Sequence, residues 1–199
     1  MKYTQKKNEI ILASKSEVRK KILEENEISC RAIPSNLDEE PIKASLVKDG
    51  ASPEIVSKNL AELKAIKVSM LYKDCITIGA DSVIDFENKI ISKPKSREEA
   101  YNILEKLNGK VHYLISSVSI ATNGKMIWNY TEKAKLTMIK FNQKQIMDYL
   151  SKISDQNLYA YNVYQIEGEG RNLFSSIEGD ENTIMGLPIF KIKEYLKNL

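Results

Sequence analysis

The chain has 199 residues and a mass of 22.7 kDa, which is enough to bury a full hydrophobic core, and we expect one compact domain over residues 1–199. Its 30 Lys and Arg residues nearly balance 27 Asp and Glu residues and are scattered along the sequence, which argues against a nucleic-acid partner. No apolar run comes near the roughly 18 residues of a membrane span, and residues 1–8 hold no apolar segment long enough for a signal peptide. We therefore expect a cytoplasmic protein that does not bind membranes.

The first elements in chain order are a strand, a turn, a helix and a second strand. Residues 10–13 are an apolar run typical of a short buried strand, and residues 14–16 form a polar turn. Apolar positions then recur at helical spacing as far as Asn26. Residues 28–33 predict the next strand, which Pro34 ends.

An acidic loop and a long helix come next. Residues 38–41, Asp-Glu-Glu-Pro, predict a solvated loop. Ser52, Pro53 and Glu54 then supply a helix N-cap, a proline at the first helical position and an early carboxylate, and they predict a helix to about Leu71.

The most informative stretch follows the apolar run of residues 75–78. There the sequence reads Gly79, Ala80, Asp81, Ser82. In open α/β sheets ligands bind where strands end, so we expect the strand to end here, with Gly79 letting the backbone approach a ligand and Asp81 acting as a base or metal ligand. An aspartate after a strand is also common as a turn former or helix cap, and that interpretation stays open at this point.

The second half of the chain predicts two hairpins and three helices. Residues 83–86 and 90–92 flank a short turn, and Ser96 with Glu99 forms a capping box that opens a helix ending near Gly109. The remaining predicted elements are a hairpin of residues 111–121 and 127–141 around an Asn-Gly turn, a helix over 143–151, a tyrosine-rich stretch over 159–165, a strand over 173–177 and a last helix from about Pro188.

A basic run lies in the first turns of the first predicted helix. Residues 19–21 are Arg-Lys-Lys, although the positive end of the helix dipole disfavours cations there. A phosphate bound by the helix-start amides, by the hydroxyls of Ser14 and Ser16 and by the arginine would remove that conflict. The alternative is a solvated basic face that pairs with Glu24 and Glu25.

Further charged residues could complete such a phosphate site. Lys64 and Lys93 offer counter-charges for a triphosphate, although either alone could be an ordinary surface lysine. Asp38 and Glu39 are the natural companions of Asp81 for a divalent cation, because Mg²⁺ or Mn²⁺ takes a few carboxylates and completes its shell with water and phosphate oxygens.

Several other site classes are excluded. A Walker-type glycine-rich loop is missing. His112 is the single histidine, so a histidine zinc site is ruled out and serine nucleophiles lack a partner base; we expect His112 to be hydrogen-bonded within the fold. Cys30 and Cys75 are expected to be buried free thiols.

Seven short motifs, in order and at matching spacing, resemble the Maf-like proteins over residues 10–196. They are Leu12-Ala13-Ser14-Lys15-Ser16 with Arg19, Asp38-Glu39, Leu60-Ala61 with Lys64-Ala65, Gly79-Ala80-Asp81, Lys93-Pro94, Leu107-Asn108-Gly109 with His112, and Gly186-Leu187-Pro188. The resemblance implies an α/β fold, a mixed twisted sheet with flanking helices that form two lobes around a cleft, similar to the inosine triphosphatase group. It implies a nucleoside triphosphate pyrophosphatase that releases a nucleoside monophosphate and pyrophosphate, and dependence on a divalent cation such as Mg²⁺, Mn²⁺ or Co²⁺. It leaves a homodimer open.

The resemblance also implies roles for individual residues. Asp81 matches the presumed catalytic base, which would orient or deprotonate the attacking water, and it shares the metal with Glu39. The phosphate-binding positions are Ser14, Arg19, Lys64 and Lys93.

Three positions depart from the pyrimidine-specific branch of that family. Val18 replaces one of two arginines, Ser82 replaces a threonine, and Glu167 replaces a glutamine. These specificity positions look more like the branch that acts on 7-methyl-GTP, since a carboxylate can accept hydrogen bonds from guanine and favours a cationic base. Residues 159–162 also depart from the small-residue run expected there.

Two other interpretations remain open. One is a pyrimidine (dTTP or UTP) pyrophosphatase, and the other is a non-catalytic Maf-like regulator of cell division. The intact set of Asp81, Glu39, Arg19 and the two lysines favours an enzyme, because a pure binding module does not need it.

Overall fold

The computed structural model describes residues 9–199, except for the side chains of residues 160 and 161. Residues 1–8, on which the expectation about a leader segment rests, lie outside the described residues. Within residues 9–199 no helix has the length and apolar character that crossing a membrane requires.

The described residues form strands and helices in mixed order. The strands are β1 (Ile10–Leu12), β2 (Arg31–Ala32), β3 (Ile76–Phe86), β4 (Lys89–Ile91), β5 (Val111–Thr122), β6 (Lys125–Met138) and β7 (Phe174–Glu178). The helices are α1 (Glu17–Glu25), α2 (Glu39–Lys48), α3 (Pro53–Leu71), α4 (Arg97–Leu107), α5 (Gln143–Ser151), α6 (Asp155–Tyr161), α7 (Glu181–Ile184) and α8 (Ile189–Leu196), with a short 3-10 helix at Glu169–Leu173.

One mixed sheet organises the fold. The strand order is β2-β1-β3-β5-β6-β7, and β4 pairs with β3. β1 runs parallel to both β2 and β3, whereas β4, β5, β6 and β7 form antiparallel pairs with their neighbours. This confirms the expected α/β class with a mixed sheet and flanking helices.

Two of the hydrophobic clusters of the described residues meet along β3. Alternate residues of β3 point to the same face of the sheet. On this face Ile78 and Ala80 pack with α1 and α8. Further along the strand, Ile84 and Phe86 pack with α4 and α5. The strand therefore passes from one core to the other near Asp81.

Helix α3 covers the opposite face of β3, and the missing side chain of Gly79 lets the helix backbone approach the strand. A Cβ atom on Gly79 would lie 2.3 Å from the carbonyl oxygen of Ala61 and 2.6 Å from the amide nitrogen of Ala65. Gly79 therefore admits a helix backbone and not a ligand, which corrects the interpretation drawn from the sequence.

The expectation that the strand ends at Asp81 is also wrong. β3 is continuous from Ile76 to Phe86, and Asp81 lies at its middle, paired in register with Ser117 of β5. Lys64 compensates the buried charge of Asp81 by pairing with one oxygen of its carboxylate, and Val83 resumes the apolar pattern, so the strand continues.

Other predicted elements need smaller corrections. The acidic segment expected as a loop begins α2, with Asp38 at its N-cap position, because carboxylates favour a helix N-terminus. The strand expected over 28–33 is reduced to Arg31–Ala32, and α6 and α7 were not predicted. Cys30 and Cys75 are free as expected but half-buried instead of buried.

Both hairpin turns and most caps agree with the predictions. Glu87 and Asn88, and likewise Asn123 and Gly124, all have positive φ, as two-residue hairpin loops require. The Ser96 hydroxyl caps α4 by accepting from the Glu99 amide, although the Glu99 carboxylate accepts from Lys95 and so leaves the capping box half-formed.

Candidate active site

A cavity of about 440 Å³ opens where one edge of β3 has no partner strand. Residues 76–78 pair with β1 and residues 84–86 pair with β4 on that edge, which leaves the segment between them facing the cavity. The strand that ends at the site is β1, and not β3 as the sequence suggested. Asp81 thus reaches a ligand site while held on a continuous strand.

Asp81, Lys64 and Glu39 form the charged centre of the site. The ammonium of Lys64 lies 2.8 Å from Asp81 Oδ1 and 2.9 Å from Glu39 Oε1. Lys64, on α3, is only 7% exposed and Asp81 only 6%, so this lysine is not a surface residue. Glu39 reaches the same ammonium from the first turn of α2, and its side chain is 39% exposed.

One oxygen of Asp81 is left over. Among the described residues, the buried Oδ2 atom has no hydrogen-bond partner. Burial raises the pKa of Asp81 above its ordinary value, although Lys64 and Arg19 act in the opposite direction. An unpartnered buried acceptor of this kind needs a ligand, a water or a cation, and a raised pKa improves a carboxylate as a proton acceptor.

Arg19 lines the cavity and donates hydrogen bonds to three separate segments of the chain. Its Nε donates to the carbonyl of Gly186 at 2.9 Å, Nη1 donates to Ala80 O at 3.0 Å and Ser14 Oγ at 3.4 Å, and Nη2 donates to Ser82 Oγ at 3.0 Å. Of the five N–H groups of a guanidinium, four are therefore committed within the described residues. Burial lowers the pKa of Arg19, while Asp81 and Glu39 raise it.

The basic run of α1 divides between the two interpretations that the sequence left open. Lys20 and Lys21 form i,i+4 ion pairs with Glu24 and Glu25 at 3.7 and 3.6 Å, as the solvated-face interpretation predicts. Arg19 alone turns towards the cavity beside Ser14.

Lys93 lies on the other side of the cavity, just after β4. Its pKa is lowered by burial and by the neighbouring charges of Arg19 and Lys64, against the opposing effect of Glu39 and Asp81. Lys93 therefore shares one electrostatic environment with the other four charged residues. The structure thus brings together Ser14, Arg19, Glu39, Lys64, Asp81 and Lys93.

The three positions that the resemblance links to specificity line the same cavity. Val18 and Ser82 are half-buried, whereas Glu167 is exposed and accepts a hydrogen bond from Gln165 Nε2 at 3.4 Å. Tyr164 lines the cavity as well, and its hydroxyl is 2.8 Å from Nε2 of the buried His112. His112 is therefore hydrogen-bonded within the fold, as expected.

The model of the family described as Maf-like protein matches residues 9–199. The chain belongs to the Maf-like family.

Named relatives of the Maf-like chain fall into two groups. A nucleoside triphosphate pyrophosphatase of Pelagibacter ubique (strain HTCC1062) is 67% identical over 95% of this chain and 97% of the relative. A 7-methyl-GTP pyrophosphatase of Rhizobium etli is 35% identical over 96% of each chain. Among solved structures, a HAM1 protein from Coxiella burnetii overlaps 66% of this chain and 73% of its own, with 14% identity and a TM-score of 0.40.

The cavity of this Maf-like chain contains basic residues that sequence reasoning missed. Lys15 and Lys43 both line it, and Lys43 forms an ion pair with Glu40 at 2.9 Å. Lys43 could have been suspected from its position one turn after Glu39, had the acidic segment been recognised as the start of a helix. Lys15 lies within the quoted serine motif but carries no signal of its own.

Asn162 is another unexpected feature of the cavity. Its backbone has φ 75° and ψ −165°, a conformation that is nearly restricted to glycine, and its Oδ1 accepts from the amide of Val163 at 3.0 Å. Asn162 falls in the stretch where the Maf-like resemblance leads one to expect small residues, and it lines the cavity. The departure seen in the sequence therefore coincides with unusual backbone geometry.

Proposed function

We propose that this protein is a nucleoside triphosphate pyrophosphatase that hydrolyses the bond between the α and β phosphates, giving a nucleoside monophosphate and pyrophosphate. The observation that carries the proposal is Asp81, a buried carboxylate with one oxygen bound to Lys64 and the other unpartnered among the described residues, in a cavity of about 440 Å³. The names of the Maf-like relatives support the same activity.

The charges that line the cavity suit a polyanionic ligand. Five basic side chains line it, against three carboxylates, which belong to Glu39, Asp81 and Glu167. The basic side chains are Lys15, Arg19, Lys43, Lys64 and Lys93. Fixed cations that neutralise charge on the phosphoryl oxygens and on the leaving group are the main catalytic device of phosphoryl-transfer enzymes.

Asp81 is the group we assign to the attacking water. Its Oδ2 has no acceptor role with another described residue, so it can accept a proton from a water placed against the α phosphorus. Lys64 orients the carboxylate through Oδ1, and its charge, with that of Lys93, would neutralise the departing pyrophosphate.

The residues present fit a divalent cation. The carboxylates of Glu39 and Asp81 lie close together, since both pair with the Lys64 ammonium, and Asp81 Oδ2 has no partner among the described residues. Mg²⁺ and Mn²⁺ are commonly bound by one or two carboxylates plus substrate phosphates. Within residues 9–199 there is no cluster of three or more His, Cys, Asp or Glu side chains suited to a metal ion. When bound, the cation would supply positive charge to the phosphate oxygens.

For the base we propose a preference for 7-methyl-GTP or a related modified guanine nucleotide. Glu167 is exposed and lines the cavity, where an ionised carboxylate can accept hydrogen bonds from the N1 and N2 donors of guanine. A methylated, cationic base would gain further from that charge. Such a preference would suit an enzyme that clears modified nucleotides, and we propose that it acts in the cytoplasm.

Pyrophosphate release from a panel of normal and methylated triphosphates, with Mg²⁺, Mn²⁺ and Co²⁺ in turn, tests this function. We expect turnover that requires a divalent cation, with the highest kcat/KM for a guanine nucleotide, and we expect Asp81→Asn to bind nucleotide without turnover. If dTTP or UTP is the best substrate, the protein is a pyrimidine pyrophosphatase. If the wild type binds nucleotides and hydrolyses none of them, the regulator interpretation replaces the enzyme.

A further inference from the structure

Ser116, a residue outside the cavity, closes a ring of hydrogen bonds around the phosphate end of the site. It lies on β5, opposite Ser82 of β3, and is 0% exposed. Its Oγ is 2.8 Å from Ser82 Oγ and 2.7 Å from the carbonyl oxygen of Thr183.

The direction of each hydrogen bond in this ring follows from the number of protons. A serine hydroxyl has one proton, and that of Ser116 must go to Thr183 O, because a carbonyl can only accept. Ser116 therefore accepts from Ser82. Ser82 in turn accepts from Arg19, since a guanidinium can only donate.

The ring closes through the turn after α7. The carbonyl of Thr183 also accepts from the amide of Gly186 at 3.0 Å, and the carbonyl of Gly186 accepts from Arg19 Nε at 2.9 Å. Five residues thus hold one another in a single arrangement. A Cβ atom on Gly186 would lie 3.0 Å from both Arg19 Nε and Ser82 Oγ, so there is little room for the ring to shift.

We propose that Ser116 is a positioning residue for nucleotide binding, which acts through Ser82 on the orientation of Arg19. The proposal deepens the proposed function and rests on it. Ser116 touches no part of the cavity, whereas Ser82, Arg19 and Gly186 line it. Removing the Ser116 hydroxyl leaves the Ser82 proton without its acceptor, so the hydroxyl that accepts from Arg19 Nη2 is no longer fixed in its orientation.

Steady-state kinetics of Ser116→Ala test the proposal, with Ser117→Ala as the matched control. Ser117 is the next residue of β5, is 1% exposed, and its hydroxyl bonds to Thr131 on the opposite face of the sheet. We expect Ser116→Ala to raise KM for the best triphosphate about tenfold with a smaller change in kcat, and Ser117→Ala to leave both near the wild-type values.

A double-mutant cycle separates positioning from a general structural effect. If Ser116 acts through Ser82, then Ser82→Ala alone raises KM by a similar factor, and adding Ser116→Ala to it changes KM little further. Ser82 is half-buried, so this variant also serves if Ser116→Ala fails to fold. Equal KM values for Ser116→Ala and Ser117→Ala, or additive effects of Ser82→Ala and Ser116→Ala, would overturn the proposal.

Binding of inorganic pyrophosphate by calorimetry keeps the test independent of turnover. We expect the same order of Kd values, with Ser116→Ala and Ser82→Ala weaker than Ser117→Ala and the wild type. If the wild type hydrolyses no triphosphate, the proposed function is wrong, but the positioning role can still be tested by pyrophosphate binding. If the wild type is active and Ser116→Ala binds pyrophosphate as tightly as the wild type does, the positioning role is wrong and the proposed function stands.

Discussion

Lys64 Nζ lies 2.8 Å from Asp81 Oδ1, in a place where neither residue is more than 7% exposed. Removing Lys64 would strand the buried carboxylate of Asp81, which costs far more than an exposed ion pair contributes, whereas removing the Asp81 charge leaves the ammonium paired with Glu39. Glu39 adds a second carboxylate to the same ammonium. The centre of the site is therefore held together before any ligand arrives, and Asp81 presents its second oxygen in a defined orientation.

Asp81→Asn should abolish turnover while leaving the fold intact, because the amide keeps the shape but cannot accept a proton at the same position. Its stability should equal or exceed that of the wild type at neutral pH. Burial raises the folded-state pKa of Asp81, so ionising this group costs stability in the wild type. Pyrophosphate release and chemical denaturation measure the two effects.

The sign of the pH dependence follows from that raised pKa. Below the unfolded value of about 3.9 the carboxyl is protonated in both states and there is no penalty. As the pH rises from there through the folded pKa, the wild type should lose stability relative to Asp81→Asn, and above it the difference should stay constant. A wild type that instead gains stability relative to Asp81→Asn as the pH rises would show that Lys64 outweighs burial.

The charged residues of the site were easier to predict from the sequence than the strands and helices that hold them. Asp81, Lys64, Arg19 and Lys93 were singled out by charge type and motif, and the structure places all four at one cavity. The course of β3 was missed, because local sequence cannot show that Lys64, from a helix 17 residues away, neutralises a carboxylate in mid-strand.

Partners far apart in sequence explain the remaining differences. The ring through Ser116 joins residues separated by up to 167 positions, and no local pattern encodes it. Asp38 and Glu39 suit a loop as well as a helix start, and α2 contacts α3 but buries no residue, so no apolar pattern in its sequence marks it as a helix.

Gly79→Ala should destabilise the protein by at least about 3 kcal/mol, since the new methyl group meets helix backbone that cannot rotate away. The nearest atoms would be Ala61 O at 2.3 Å and Ala65 N at 2.6 Å. Gly168→Ala is the matched control, because a Cβ atom there meets nothing within 4 Å. Urea denaturation of both variants decides the matter, and equal stability would contradict the close contact between α3 and β3.

Arg19→Ala should weaken nucleotide binding and also cost about 2–4 kcal/mol of stability, because four hydrogen bonds from one charged group are lost. Lys21→Ala removes a basic residue of the same helix whose side chain is 73% exposed, and should change stability by less than about 0.5 kcal/mol. Thermal unfolding and pyrophosphate calorimetry measure both quantities. Unchanged stability in Arg19→Ala would mean that its contacts with Gly186 and Ala80 contribute little.

His112 should make the protein acid-sensitive. Burial lowers the pKa of His112 to about 4, whereas an unfolded histidine titrates near 6.5. As the pH falls from 6.5 to 4, His112 binds a proton in the unfolded state but not in the folded state. The free energy of unfolding should therefore fall by on the order of 3 kcal/mol. His112→Gln can keep a polar contact with the Tyr164 hydroxyl without titrating, so denaturation curves at pH 7 and pH 4.5 should show a smaller loss in the variant. Parallel losses in the two proteins would rule this origin out.

Glu167→Gln should shrink the preference for guanine nucleotides over thymidine and uridine triphosphates, because an ionised carboxylate can only accept hydrogen bonds whereas an amide can also donate to a pyrimidine carbonyl. We expect the ratio of kcat/KM values to fall about tenfold, which corresponds to about 1.4 kcal/mol. Glu169→Gln is the control, since Glu169 is also exposed and acidic but pairs with Lys152 at 3.4 Å and does not line the main cavity. A wild type that already prefers dTTP would contradict the role assigned to Glu167 and leave Val18 and Ser82 as neutral differences within a pyrimidine-specific enzyme. An unchanged ratio in Glu167→Gln beside a guanine-preferring wild type would instead move the source of the preference to other cavity residues, with Gln165 and the strained backbone of Asn162 the next to test.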